Sequence, residues 1–584
     1  MANLPKIVTT LGILLISFFS FAQRPFLDKS GGAAKMMVQN KPFIMLGAEI
    51  HNSTGSDTAG LKKVLKQAKA LNMNTILAYA YWEFIEPEEG KFNFWLLDQL
   101  LQSARKEKLK VALVWFGSWK STTSSYAPAW VKTNPQRFPR HTLADGKTLE
   151  ILSPFSAANR DADAKAYAAL MQHLVAVDKD HTVILLQTEN EPGCFQGYRD
   201  YSPAALQAWS AEVPSAVITY LNANKGKLFP ALEKAWANNG YKTKGTWEEL
   251  FGNSSAEGEY PYYSEELFMA YHYSTYINHI AAQGRKILDL PTFCNGWLHN
   301  KRGTYPHGTI NPHVLDLYRA GGTALDFYSP NVYTIDYDDL FSKYKTGGNI
   351  LFIPESLLSP AGVLYAIAEY DAIGFAPFGI DGWNRNDEQV KLNLKLLTEI
   401  NGTLQQMQGL ISAKYASPQM RGAYFAPPAR NKELELGDYK ITIGSSADFR
   451  FSIDFGKSLE QVGKQVISFA ALSGQDDPAP GPNTPPADKP APPASPFGSL
   501  PKDMGAALII QNAADEFYIV GYGVKLNFAL KEGVRFNHLG FLSIDEGYFK
   551  QDQFIATKRW NGDEQKVSLP GQQLSVLKVK LYRI

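Results

Sequence analysis

Glu191 and Glu355 each close an apolar run of the kind that forms a barrel strand, and two carboxyls so placed suit the hydrolysis of a glycosidic bond. The first run is Thr182-Val183-Ile184-Leu185-Leu186-Gln187-Thr188-Glu189-Asn190-Glu191-Pro192-Gly193, which stops in carboxylates, an amide and a turn. The second is Asn349-Ile350-Leu351-Phe352-Ile353-Pro354-Glu355-Ser356. Hydrolysis with retention needs one carboxyl to attack the anomeric carbon and another to protonate the leaving oxygen and then deprotonate water. It requires a separation of about 5 to 5.5 Å, whereas about 6.5 to 9.5 Å serves inversion. Asn190 beside Glu191 suits an amide contact to a sugar 2-hydroxyl, one that strengthens in an oxocarbenium-like transition state. On this reading Glu191 is the acid/base and Glu355 the nucleophile.

These residues need a frame that gathers distant strand ends. From Phe43 to Asn384 apolar β-rich runs alternate with helical patterns, and eight such runs can be counted: 43–50, 74–79, 110–115, 182–189, 290–295, 325–331, 350–355 and 373–380. Leu61, Val64, Leu65 and Ala68, and likewise Leu97, Leu100, Leu101 and Ala104, fall on one helical face. Ser56 or Asp57 suits the first helix's N-cap, with Asn72 and Asn74 bounding the turn that follows. Eight βα units predict a closed (β/α)8 TIM barrel over 23–410, an α/β fold. The interval of about 194–285 is too long for an ordinary connection and predicts a helical insertion. Its Phe195, Tyr198, Tyr201, Tyr260, Tyr262 and Tyr263 suit either a sugar platform or packing of the insertion on itself. Beyond residue 410 the period changes: Phe449, Phe451, Ile453 and Phe455 alternate with polar residues, as do Val524, Leu526 and Phe528. That predicts a C-terminal antiparallel β-sandwich over 411–584, with a Pro-rich loop at 476–501.

With 58 basic and 57 acidic residues, the net charge of +1 makes no electrostatic case for nucleic acid or anionic membrane. A neutral carbohydrate suits the composition better, since 12% of residues are aromatic and flat rings cover sugar faces. Residues 1–22 read as a signal peptide, with Lys6 ahead of an apolar stretch and small residues Ser20 and Ala22 before Gln23. This predicts export, to periplasm or beyond, with no stable membrane insertion after cleavage. Two cysteines, Cys194 and Cys294, are too few for a disulfide framework. No cluster has zinc spacing and no nucleotide or flavin fingerprint occurs, so neither metal nor cofactor is expected.

Gln187-Thr188-Glu189-Asn190-Glu191-Pro192-Gly193 resembles the Gln-x-Glu-Asn-Glu-x-Gly acid/base motif of family 35 β-galactosidases, retaining hydrolases of clan A. Gly47-Ala48-Glu49-Ile50-His51 is similar to that family's first-strand signature. Leu71-Asn72-Met73-Asn74-Thr75, followed by Tyr79-Ala80-Tyr81-Trp82 and Glu86-Pro87, is similar to its second. The resemblance covers roughly 36–410, and the tail resembles a small β-domain of a bacterial subgroup, some members of which act on xyloglucan. It implies that Tyr79, Glu189 and Asn190 contact a terminal galactose and draws attention to Glu49 and His51 under the strand ends, as a sugar-binding or a buried ion pair.

The third-strand segment departs from the family pattern. Trp115-Phe116-Gly117-Ser118-Trp119-Lys120 stands where the family carries Arg-Pro-Gly-Pro-Tyr and a following glutamate. Recognition of the sugar's polar edge must then be rebuilt, with Trp119, Lys120 and Ser118 as candidates. Tyr333, in Asn331-Val332-Tyr333, suits a hydrogen bond to the nucleophile, and Trp383, in Asp381-Gly382-Trp383, suits stacking on a sugar. The sequence thus predicts an exported retaining exo-β-galactosidase acting on plant-type polysaccharides or their oligosaccharides, with a carbohydrate substrate, no nucleic-acid partner and an open oligomeric state. The alternatives are another clan A β-glycosidase, an endo-glycanase, or a carbohydrate-binding protein without catalysis.

Overall fold

The eight apolar runs fold as eight strands: Met45–Glu49 (β1), Thr75–Tyr81 (β2), Lys110–Lys120 (β3), Val183–Asn190 (β4), Thr292–Gly296 (β5), Phe327–Val332 (β6), Glu355–Ser356 (β7) and Gly374–Phe375 (β8). This is a computed structural model describing residues 23–298, 305–426, 432–446 and 504–584. The signal-peptide, Pro-rich-loop and Phe449–Phe455 expectations lie outside the described residues. The strands form one sheet in the order β7-β6-β5-β4-β3-β2-β1-β8, a nearly closed parallel barrel. Within this sheet β1, β2, β4, β5 and β6 are buried at every position, as strands covered on both faces must be. β7 is shorter than its apolar run predicts: Pro354 has no N–H to donate, and before it only Ile353 bridges, to Phe375 of β8.

By contacts the described residues fall into two compact units. One lies within Met1–Met45, Asn52–Lys69 and Asn74–Tyr328. It holds β2 to β5 and the helices Thr58–Ala70 (α1), Trp95–Lys106 (α2), Ala157–Val177 (α3) and Tyr263–Arg285 (α4). Asp57 caps α1, its carboxylate accepting from the Ala59 amide at 3.0 Å. The region 194–285 is helical as expected, with short helices Pro203–Ser210, Ser215–Ala223, Pro230–Asn238 and Trp247–Phe251. Its last helix, α4, packs along α3, so the insertion proper ends before Tyr263.

The other unit comprises Leu46–His51, Ala70–Met73 and the described part of Ser329–Ile584. It carries β7, β8, the helix Pro360–Tyr370 (α5) and, beyond the barrel, two antiparallel sheets of six and four strands. The two sheets share one core in which Ile509, Phe517, Ile519 and Val579 of the larger sheet join Tyr439, Ile441, Ile443 and Leu526 of the smaller, the arrangement of a sandwich.

Candidate active site

β4 ends in a strained turn. Glu189 (φ 66°) and Glu191 (φ 50°) occupy the left-handed region, as do Ser121 (φ 47°) and Thr122 (φ 67°) on the loop that follows β3. Non-glycine residues there are held against a steric penalty, and such strain clusters at functional sites. The two turns are stitched together: Ser121 N donates to Asn190 O at 3.2 Å and Thr122 N to Glu191 O at 3.1 Å. The Glu191 amide donates to Asn295 Oδ1 on β5 at 3.1 Å.

The Glu191 carboxyl, 2% exposed, accepts from Ser121 Oγ at 2.8 Å. Lys120 Nζ stands 3.8 Å from the same oxygen and donates to Ser121 Oγ at 2.7 Å. Lys120 therefore faces the expected acid/base. Beside it, the Asn190 side chain is buried, and among the described residues neither of its polar atoms has a hydrogen-bond partner. A buried amide in that state is unusual, and a ligand hydroxyl is one group that would satisfy it.

Three candidates of this unit lie elsewhere than expected. Glu189 is wholly buried: its Oε1 accepts from Ser118 N at 3.1 Å and its Oε2 from Trp119 N at 2.7 Å, leaving no exposed face for a sugar. Trp119 is likewise enclosed, with Nε1 donating to Leu152 O at 3.1 Å and its indole set against Tyr273 and Tyr276. Ser118 Oγ is committed to Asp163 at 2.6 Å. The cause is local: β3 runs on past its expected end at Trp115, and its register with β4 slips between Trp115 and Lys120, turning Ser118 and Trp119 inward. Tyr79, 4% exposed, stacks on Phe116 with centroids 4.3 Å apart. The insertion's aromatics pack on one another and on neighbouring loops, Tyr198 on Tyr262 and Tyr260 on His313, rather than lying open as a platform.

In the other unit, Glu355 opens β7 and its neighbour in register is Asn331 of β6. Asn331 Nδ2 donates to Glu355 Oε2 at 3.0 Å, and the Tyr333 hydroxyl donates to Oε1. The carboxylate, 6% exposed, is thus fixed by a donor on each oxygen. His51 does not pair with Glu49; its Nδ1 lies 3.0 Å from Asp381 Oδ1, which also accepts from the His51 amide. Glu49 holds its strand end through the backbone, its amide bonding Pro377 O at 2.9 Å. Trp383 is half-buried, with Nε1 donating to Phe378 O at 2.8 Å.

Asp163, Ser121 and Asn295 escaped the sequence reading. Asp163 sits in an alanine-rich helix and Ser121 in a run of hydroxyl residues, and neither context marks a function. Asn295, closing a predicted strand beside Cys294, carried the one usable signal.

Residues 56–265 match the family model described as Beta-galactosidase, of glycoside hydrolase family 42. Residues 397–569 match a Domain of unknown function, DUF5597. A β-galactosidase of an Arthrobacter species is 31% identical over 170 residues, which is 28% of this chain and 23% of that protein, so the chain spans under a quarter of that relative. Among solved structures, the chain is similar to the β-galactosidase of the psychrophilic Marinomonas ef1, with TM-score 0.41, 15% identity, and coverage of 64% of this chain and 60% of that one. It is also similar to that of Bacillus circulans sp. alkalophilus, with TM-score 0.43, 15% identity, and 63% and 57% covered. The motifs pointed to family 35; the matching model is that of family 42, and the family-level expectation gives way to it. The coarser likeness, to β-galactosidase-type glycosidases of clan A, stands.

Proposed function

We propose that this chain is an exported retaining β-galactosidase that removes terminal β-galactose from plant-type polysaccharides, xyloglucan among them, or from their oligosaccharides. Glu355 attacks the anomeric carbon as Glu191 gives its proton to the departing glycosidic oxygen; Glu191 then takes a proton from the water that displaces Glu355. No cofactor enters this chemistry. The observation that carries the reading is the end of β4, where Glu191 stands on strained backbone beside Asn190, whose buried amide no described protein group satisfies, while Asn331 and Tyr333 each donate to one oxygen of Glu355. The match of residues 56–265 to a β-galactosidase family model supports the substrate class.

The test is hydrolysis of an aryl β-galactoside by wild type, Glu191→Ala and Glu355→Ala, with azide rescue and NMR of the product anomer. Each variant should lose about 10²-fold or more in rate. β-Galactosyl azide from Glu191→Ala and the α-azide from Glu355→Ala establish both roles, whereas variants that keep the wild-type rate overturn the assignment. A mature N-terminus at Gln23 checks export. A second reading keeps the mechanism and changes the sugar. It is favoured by the enclosure of Ser118 and Trp119, which removes both from recognition of the sugar's polar edge. A panel of aryl glycosides separates the two.

A further inference from the structure

Behind the end of β4 lie two carboxyls that the proposed mechanism does not use. Asp163 on α3 and Glu189 on β4 are both 0% exposed and turn a carboxyl oxygen each to the same point beside Gly117 of β3. Asp163 Oδ1 accepts from Trp115 Nε1 at 2.8 Å and Oδ2 from Ser118 Oγ at 2.6 Å, while Tyr276 lies 2.7 Å from the same Ser118 hydroxyl. Glu189 takes the amides of Ser118 and Trp119. Each of these donors is neutral, and among the described residues no lysine, arginine or histidine forms an ion pair with either carboxyl. The strand between them is fitted closely. A Cβ on Gly117 would stand 2.5 Å from Glu189 Oε1, 2.7 Å from Asp163 Oδ2 and 2.3 Å from Trp115 Nε1.

Two ionised carboxylates cannot share such a site without a counter-charge, and a hydrogen bond between carboxyls exists only when one of them carries a proton. We propose that Asp163 and Glu189 share one proton as a buried acid–carboxylate pair, and that this pair is a positioning device for Glu191, acting through residues 118–122. The assignment of Glu191 as acid/base rests on the function proposed above. The mechanical route is short. The pair grips the backbone of Ser118 and Trp119; the next two residues, Lys120 and Ser121, are those that hold the Glu191 carboxyl, and Ser121 and Thr122 bond the strained backbone of 190–191. Loss of the shared proton would bury a second negative charge and push the end of β3 away from Glu191.

Burial drives Glu189 well above the usual carboxylate range, the Asp163 charge adding to it, and burial raises Asp163 as well; the retained proton belongs to the pair. The other titratable groups facing it stay neutral. Burial pushes up Tyr167 from α3, Tyr276 from α4 and Cys294 from β5. Arg160 and Arg285 reach the pair's surroundings only through their fields at Tyr276 and Tyr167.

Two variants of Asp163 test the proposal. Asp163→Asn replaces the acid–carboxylate pair by an amide–carboxylate pair with the same charge and hydrogen bond but no proton to lose. Asp163→Val removes the bond. Infrared and carbon-13 spectra of the full chain at neutral pH should show one protonated buried carboxyl in the wild type that is absent from Asp163→Asn. On an alkyl β-galactoside, whose leaving group needs the acid, Asp163→Asn should keep kcat/KM within about threefold and extend its alkaline limb upward. Asp163→Val should lose about tenfold or more on that substrate and under about threefold on a dinitrophenyl β-galactoside, whose departure needs no proton. If Asp163→Val does not fold, the alkaline limb of Asp163→Asn carries the same test. A wild type without the protonated carboxyl overturns the shared proton. Equal losses on both substrates, or an unmoved alkaline limb, overturn the link to Glu191. A wild type inactive on every aryl glycoside overturns the glycosidase reading, and the link to the acid/base with it, while the spectra still decide the shared proton.

Discussion

Tyr333 and Asn331 place a donor on each oxygen of Glu355, the proposed nucleophile. A carboxylate that can rotate samples many approach angles, and a donor on each oxygen removes that freedom before substrate arrives. Tyr333→Phe deletes one donor and leaves the ring, so kcat/KM on an aryl β-galactoside should fall by about 10- to 100-fold, with the urea midpoint little changed. A loss of under twofold would mean that the remaining contacts of Glu355, Asn331 among them, suffice. At this scale the sequence was legible for position where a residue stood at a strand end, as for Glu191 and Glu355 and for Tyr333 against Glu355, while their roles belong to the proposal. It was misleading where a side chain's direction depended on a register slip. Nothing in the letters Gly117-Ser118-Trp119 announces that β3 continues beyond Trp115 and folds them inward, and Asp163 becomes meaningful only once α3 is laid against β3.

Among elements, α4 and the loop 305–313 are joined by a buried charge cluster. Glu266 of α4 is 0% exposed and meets His313 Nε2 at 3.1 Å, the Tyr305 hydroxyl at 3.0 Å and, at 4.0 Å, His307. Cys194, three residues beyond Glu191, bridges to His307, so this loop is also tied to the exit of β4. Burial alone would raise the Glu266 carboxyl, but the neighbouring His313 and His307, with the Tyr305 hydroxyl, outweigh it and hold the group below its ordinary value. A carboxyl depressed in the folded state contributes stability above its unfolded value of about 4.3, and that contribution fades as pH falls through the folded value. Glu266→Gln should therefore lower the unfolding free energy by about 3 to 5 kcal/mol at neutral pH, and flatten its decline in acid, in urea titrations from pH 7 downward. An acid limb as steep as that of the wild type would show that other carboxyls set it. The eight barrel strands were legible because runs buried on both faces leave a continuous apolar trace. β7 was overestimated because hydropathy does not register the missing amide of Pro354.

For the molecule as a whole, the C-terminal sheets are more than an appendage to their own unit. Arg421 pairs with Glu369 at the end of α5, Nε to Oε2 at 2.9 Å, and the Gly422 amide donates to the same carboxylate at 2.8 Å. Lys432 reaches Asp338 at 2.6 Å, and Tyr424 packs on Tyr365 with centroids 4.6 Å apart. A chain ending at residue 410 would leave α5, whose first nine residues are all buried, with an apolar face in water. Such a chain should be recovered aggregated, and its soluble yield against the full chain is the measurement; a soluble, cooperatively unfolding product would show that the sheets are dispensable. The two cysteines carry a different consequence. Cys194 and Cys294 are free thiols, 1% and 0% exposed, one just past the turn that bears Glu191 and the other within β5. Burial lifts Cys194 to about 11 and raises Cys294 further from reactivity. A thiol reagent can reach either only when the surrounding structure opens, so the chain carries two native clocks, whose alkylation rates time local breathing at two points of one barrel without any introduced label.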